Sequence, residues 1–523
     1  MILMPRHSTA NMLRNGWAGL LIVLLTGLAL PDAWAKPKRG AMPPLIVVER
    51  PWPPVVQVRV LLSTGSLADP PGQEGLALLT WDTALRGAGA RDRGQMAQAL
   101  DALGAHLDVQ VDKLGASLVG EVLLEHLDPF LALLADTLLQ PKLATDDIEQ
   151  VRAQLLADLT HLHDDDAALA HDAVGRYLYR GQTLGRPTGG TESTLRAITP
   201  DAVRQFHKHC VVAGNVRVGF AGPVDEATAK SLLERHIALP SGTPPKLTLP
   251  HTVHDGRRLL LIDKPRHTQS EVVIAWPTVA AHHKDMTAIG IANAILGGTF
   301  TSRLNREIRE LRGWSYNTWS ALSSGPQLTT WALGFTPETA DTTAALELAV
   351  KILEEMAEQG LTPAELRFAK DYLKGMHLAS LETAERELGM RMRAQQLGMA
   401  ADAIDNYAAH VEAVDYKTIQ RVLREHIRPE HLTAVVVGQG RVLESKLRES
   451  AAQFEVELMP ADGQPEHTSA RGRAIGKRPT PVEEAPPPAV NDDPADSPEE
   501  DEPGEGNEPE DGEDGAVSPE GAP

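Results

Sequence analysis

The side chains best able to hold a metal or move a proton are the histidines that lie near carboxylates. His161-Leu162-His163-Asp164-Asp165-Asp166 is the richest such run. On a helix, positions i and i+2 diverge, and an Asp run suits a polar loop, so the run reads as solvated surface. His426 to His431 (HIRPEH) brings two imidazoles into one short stretch, but five residues apart. Pro429 would end any helix that aligned them. His207-Lys208-His209 precedes a strand and is expected at the surface, and the spacing of His282-His283 is uninformative. Cys210, the single cysteine, cannot form an internal disulfide and lies in a Val-Val context, so it is expected in a core rather than as a nucleophile.

The elements that must position such residues follow from the apolar pattern. Val56 to Leu62 alternates as a half-buried strand does, after a Pro-rich lead-in from Pro43 to Pro54. A Gly/Asp/Pro-rich turn (Gly65–Gly72) leads to a helix from Glu74 to about Arg86. Further helices are expected over Gln95–Leu103, Leu127–Leu139 and Asp146 to about Leu162, and a strand over Asn215–Phe220. Prolines 240, 244, 245 and 250 mark 241–256 as a linker between a first domain, 45–240, and a second, 257–460. Past the linker, strands are expected at Leu259–Ile262 and Glu271–Trp276, and helices from Asp285, Thr339, Thr362 and Tyr416.

The second domain repeats the first. Leu195–Gly222 aligns with Val411–Gly438 at a constant offset of 216, with Val203 on Ile419, Val216 on Leu432 and Gly222 on Gly438. Each copy reads as helix, loop, apolar strand and glycine. A duplicated α+β unit is the architecture this implies.

The chain ends carry other information. Arg6 and Arg14, the apolar run Gly19–Leu30 and Ala33-Trp34-Ala35 form a secretory signal over 1–35, so the protein is expected to be exported, periplasmic or secreted. The alternative is an uncleaved anchor, for which the run is short. Residues 461–523 are rich in Pro, Glu, Asp and Gly and are expected to be disordered. The formal charge of −21 is concentrated there: 16 acidic residues and no Lys or Arg fall within 481–523, and setting them aside leaves −5. No basic stripe interleaved with aromatics occurs, which argues against nucleic acid as a partner.

Three segments are more specific. Leu62-Ser63-Thr64-Gly65-Ser66 with Gly75-Leu76-Ala77 is one, and Gly181–Ile198 (GQTLGRPTGGTESTLRAI) is the second. The third is Gln269–Tyr316, with Leu296-Gly297-Gly298, Ser302-Arg303-Leu304 and Arg309-Glu310. Together they resemble the pitrilysin/insulinase metallopeptidase family over residues 45–460. The resemblance implies two similar α/β domains, each an antiparallel sheet packed by helices, that form half of a clam-shell around peptides.

Active members of that family carry His-x-x-Glu-His directly after Gly-Leu-Ala. Two imidazoles at i and i+4 share a helix face and bind zinc, and the Glu serves as general base on the bound water. Here the five positions are Leu78-Leu79-Thr80-Trp81-Asp82. Leu78 and Asp82 stand at the ligand positions, Trp81 at the base, and Asp158 near the distal carboxylate position. Leu78 has no donor atom and Trp81 has no lone pair to take a proton. No zinc is therefore expected on this chain, and the resemblance places it in a partner. Arg309 and Tyr316 do match the second-domain pair that, in active members, holds a substrate carbonyl and the oxyanion. The resemblance thus implies a non-catalytic subunit of a heterodimeric zinc peptidase acting on unfolded peptides. The alternatives are a peptide-binding or scaffolding module, and a peptidase with another metal set.

Overall fold

The computed structural model describes residues 41–245, 249 and 254–460. The expected signal (1–35) and acidic tail (461–523) lie outside the described residues, as does part of the expected linker. Among the described residues no helix is long and apolar enough to cross a membrane.

Two sheets organise the chain. The first contains β1 (Leu45–Glu49), β2 (Val55–Leu62), β3 (His106–Val111), β4 (Ala116–Leu123) and β5 (Val216–Gly222), in the order β1-β5-β2-β4-β3. The second contains β6 (Arg258–Asp263), β7 (Glu271–Thr278), β8 (Thr318–Ser324), β9 (Thr329–Phe335), β10 (Thr433–Gly438) and β11 (Glu455–Met459), in the order β11-β6-β10-β7-β9-β8. The α+β class read from the sequence is the one observed. The sheets, however, are mixed rather than antiparallel throughout. β1 runs parallel to β5, and β6 runs parallel to both β10 and β11. These parallel partners are far apart in sequence, which leaves room for the crossover that parallel pairing needs.

Strand alternation sends side chains to two different cores. Val56, Val58, Val60 and Leu62 of β2 join Leu76, Leu79, Trp81, Phe130 and Leu134 in the first core, under the helices of their own half. In β7, Val272, Ile274 and Trp276 do the same in the second half, with Ile289, Ile291, Trp331 and Leu346. The opposite faces are covered by an exchange. The helix Asp166–Leu178 packs Leu169, Ala170, Ala173 and Val174 on Val273 and Ala275 of β7 and Val435 and Val437 of β10. The helix Ala384–Gln396, from the second half, packs Leu388 and Met392 on Val48 of β1, Leu61 of β2 and Ala221 of β5.

Both faces of these central strands are therefore buried, and each fully buried Leu or Val contributes about 1.5–3 kcal/mol. Close approach depends on Gly219 in β5. A Cβ there would lie 2.5 Å from Leu388 Cδ1 and 2.8 Å from Met392 Sδ. The sequence repeat is visible in this frame: the helix Pro200–Cys210 and β5 correspond to the helix Tyr416–His426 and β10.

Candidate functional site

The helix that would carry a zinc motif runs over Leu76–Ala84. Its entry is held by a carboxylate and two glycines. Asp69 accepts hydrogen bonds from the backbone N–H of Gly75 and Ala77, both at 2.9 Å, satisfying donors that a helix start leaves open. Burial pushes the Asp69 carboxyl up to about 7 against the pull of those N–H groups. Gly75 has φ 96°, which favours glycine, and its backbone lies against Gly189 and Leu195. Thr194 donates to Glu74 O at 2.9 Å. The Gly-rich segment and the helix entry, 120 residues apart in sequence, are thus one assembly.

On this helix Leu78 is half-buried and Trp81 is 0% exposed in the first core. The Trp81 ring lies 5.6 Å from the His207 ring, and its Nε1–H has no hydrogen-bond partner. Asp82 is half-buried. Burial raises its carboxyl to about 6; Arg86 opposes the shift, and Asp108 and Asp158 add to it. Asp158, on the helix Thr145–Asp164, is exposed.

A zinc ion does not fit this set. One position is a hydrocarbon, another is an indole sealed in the core, and the two carboxylates, Asp82 and Asp158, make only part of a zinc ligand set. Among the described residues these positions form no group able to hold a metal.

The second-half pair has a different character. The helix Met286–Asn293 widens to π-type bonding over Ala294–Gly298, and Arg309 sits on a second π-type segment, Asn305–Glu310; such segments recur at functional sites. A turn through Gly313 (φ 65°) returns the chain to β8. Arg303 fixes this region with two 2.8 Å hydrogen bonds to Glu365. Ser315 donates to Asn317 O at 2.6 Å and accepts from Thr336 N–H at 2.9 Å.

On that support the Arg309 guanidinium lies between two rings, 4.6 Å from the centroid of Phe300 and 4.5 Å from that of Tyr316. Phe300 is 65% exposed and Tyr316 84%. An exposed phenol, an aligned guanidinium and an exposed ring form a surface that offers donors to carbonyl or oxyanion oxygens. Sequence reasoning misses Phe300; its place directly after Gly297-Gly298-Thr299 is the available signal.

The other histidines separate as follows. His161 and His163 are exposed, and the Asp run splits between a helix end and the N-cap of the next helix, where Asp165 accepts from Ala168 N–H at 3.0 Å. His207 is buried, contrary to the surface expectation, with its Nε2 2.9 Å from Leu138 O. With Val203, Phe206 and Cys210 it lies on the inward face of its helix, a 3, 4, 7 spacing that outweighs the polarity of Lys208. Cys210 is buried, and burial pushes its thiol up to about 12, so it is no nucleophile. Pro429 does separate His426 from His431: the helix ends at His426.

Comparison with known proteins gives the family. Residues 45–192 match the model of insulinase (peptidase family M16), and residues 197–373 match that of the peptidase M16 inactive domain. A protein named as an uncharacterized zinc protease of Mycobacterium bovis is 26% identical over 418 residues, covering 78% of this chain and 94% of that one. A non-peptidase homolog of Helicobacter pylori is 24% identical, covering 72% and 87%. The crystal structure of a peptidase M16 inactive domain from Pseudomonas fluorescens superposes with a TM-score of 0.71 at 22% identity, covering 77% and 97%. The two mixed sheets packed by helices match the fold of that structure. The chain belongs to the insulinase, or M16, family, and within it carries Leu78, Trp81 and Asp82 where the zinc motif would stand.

Proposed function

We propose that this protein is the non-catalytic subunit of an exported heterodimeric zinc peptidase. Its zinc-bearing partner would cut unfolded peptides, and this chain would supply Arg309 and Tyr316 to the same chamber. In this reading no zinc is held at the family's motif position on this chain. The observation that carries the reading is the contrast between the two halves. The motif helix carries a half-buried hydrocarbon and a core indole at the family's ligand and base positions, whereas Tyr316 is exposed and lies against the half-buried Arg309 on a braced segment. An exposed phenol against that guanidinium suits a chain that still meets substrate.

In the proposed complex the Arg309 guanidinium grips a substrate backbone carbonyl. The Tyr316 phenol donates to the oxygen that gains charge as the partner's water attacks. Phe300 holds the guanidinium from its other side.

A second reading is a peptide-binding or scaffolding module without hydrolysis. It is favoured by the likeness to a protein named a non-peptidase homolog. Affinity purification of the full chain from its native source separates the two. Recovery of a subunit of similar length with an intact His-x-x-Glu-His, in a complex that hydrolyses peptides, supports the first; a complex without such a subunit supports the second.

A further inference from the structure

We propose that His283, Asp285 and His426 form a binding site for one divalent transition-metal ion of the zinc, cobalt(II) or nickel class, apart from the degenerate motif. The site is independent of the peptidase reading above. Among the described residues, these three form the one group of His, Cys, Asp or Glu side chains whose ligand atoms converge, all within 4.8 Å of one another.

The geometry is close to what an ion requires. Asp285 Oδ2 lies 3.0 Å from His426 Nε2 and 3.8 Å from His283 Nδ1. Metal bonds of roughly 2.0–2.1 Å in a tetrahedral arrangement set neighbouring donors about 3.3–3.4 Å apart, so the two spacings straddle that value. His283 Nδ1 accepts from Asp285 N–H at 3.2 Å in the metal-free protein, and an ion at Nδ1 would take over the lone pair that this hydrogen bond uses.

The residues come from two packed elements. Asp285, 3% exposed, stands at the start of the helix Met286–Asn293, and His426 is the last residue of the helix Tyr416–His426. Arg421, from the second helix, grips both carboxylate oxygens, with Nη2 at 2.6 Å from Oδ1 and Nη1 at 3.1 Å from Oδ2. It competes for charge, yet it also fixes the carboxylate, as hydrogen-bonded outer partners of ligating carboxylates do. Oδ2 keeps lone-pair capacity for an ion once the His426 proton leaves.

Access is open on one side. His283, alone of the three, lines a cleft of about 470 Å³ with His282, Met399 and His410, the side from which an ion would enter. Two imidazole nitrogens and one carboxylate oxygen favour zinc, cobalt or nickel over calcium or magnesium, which take all-oxygen sets.

The test is titration of the metal-stripped full chain with cobalt(II) chloride at a pH of about 7.5. One equivalent should bind with a visible d–d absorption band that zinc displaces. His283→Ala and His426→Ala should each weaken binding by ~100-fold or more. His283→Gln, which keeps the volume at the cleft wall, should show the same loss while metal-free thermal unfolding matches wild type. Absence of a one-equivalent site, or unchanged affinity in the His283 and His426 variants, overturns the proposal. So does a bound metal lost only in Asp82→Asn or Asp158→Asn, a result that would instead revise the reading of the motif helix.

Discussion

Replacing Trp81 distinguishes a residue that has become core from one kept for chemistry. Trp81 is fully buried among the helices and strands of the first core. Truncating a buried Trp to Ala costs about 3–5 kcal/mol, from lost transfer energy and the cavity left behind. The indole Nε1–H, however, is buried without a partner, and an unmet buried donor costs about 1–3 kcal/mol. Trp81→Phe removes that donor along with part of the packing, so the two effects oppose each other. The net change for Phe is expected within about 1 kcal/mol of wild type. Urea unfolding followed by far-ultraviolet circular dichroism measures both variants. A Trp81→Ala protein as stable as wild type, or a Trp81→Phe protein as damaged as the Ala variant, would refute the assignment of Trp81 to the core.

Other outcomes are equally specific. In the reconstituted pair, Tyr316→Phe should lower kcat by about 10²–10³, the usual loss of one oxyanion donor, with assembly on gel filtration unchanged; wild-type turnover would remove Tyr316 from the mechanism. Asp82 has a folded pKa raised to about 6 from the usual 3.8. Its contribution is therefore full below about pH 4 and lost as pH rises through about 6. Thermal stability measured from about pH 4 to about pH 8 should show that decline in wild type and a flatter profile in Asp82→Asn; parallel profiles would contradict it. Gly219→Val should destabilise by about 1–3 kcal/mol through overpacking against Leu388 and Met392, and Leu388→Ala in the same chain should recover part of the loss in urea unfolding. If the double variant is simply additive, the exchanged helix does not sit where described.

The sequence reveals some of these features and hides others, for physical reasons. The repeat is readable because helix, strand and terminal glycine recur at a fixed offset. The loss of the zinc motif is readable because it depends on side-chain identity alone: Leu78 has no donor in any fold. The helix exchange is not readable. The apolar face of Ala384–Gln396 shows that something is covered, but not that it is the other half's sheet. The parallel edge strands escape notice for a related reason, since β1 finds its partner about 170 residues away. His207 belongs in the core by its helical spacing, a signal that the polarity of its neighbours masks. His283 and His426 offer no such signal, because 143 residues separate them and neither neighbourhood alone points to the other.

Under the proposed function, with Trp81 in the core and Tyr316 exposed beside Arg309, hydrolysis needs two chains. The most direct measurement is hydrolysis of a quenched fluorescent peptide by the purified full chain alone, by its partner alone, and by the two together, each with and without a chelator. Turnover is expected only from the pair, abolished by the chelator. Chelator-sensitive hydrolysis by this chain alone would contradict that division of labour.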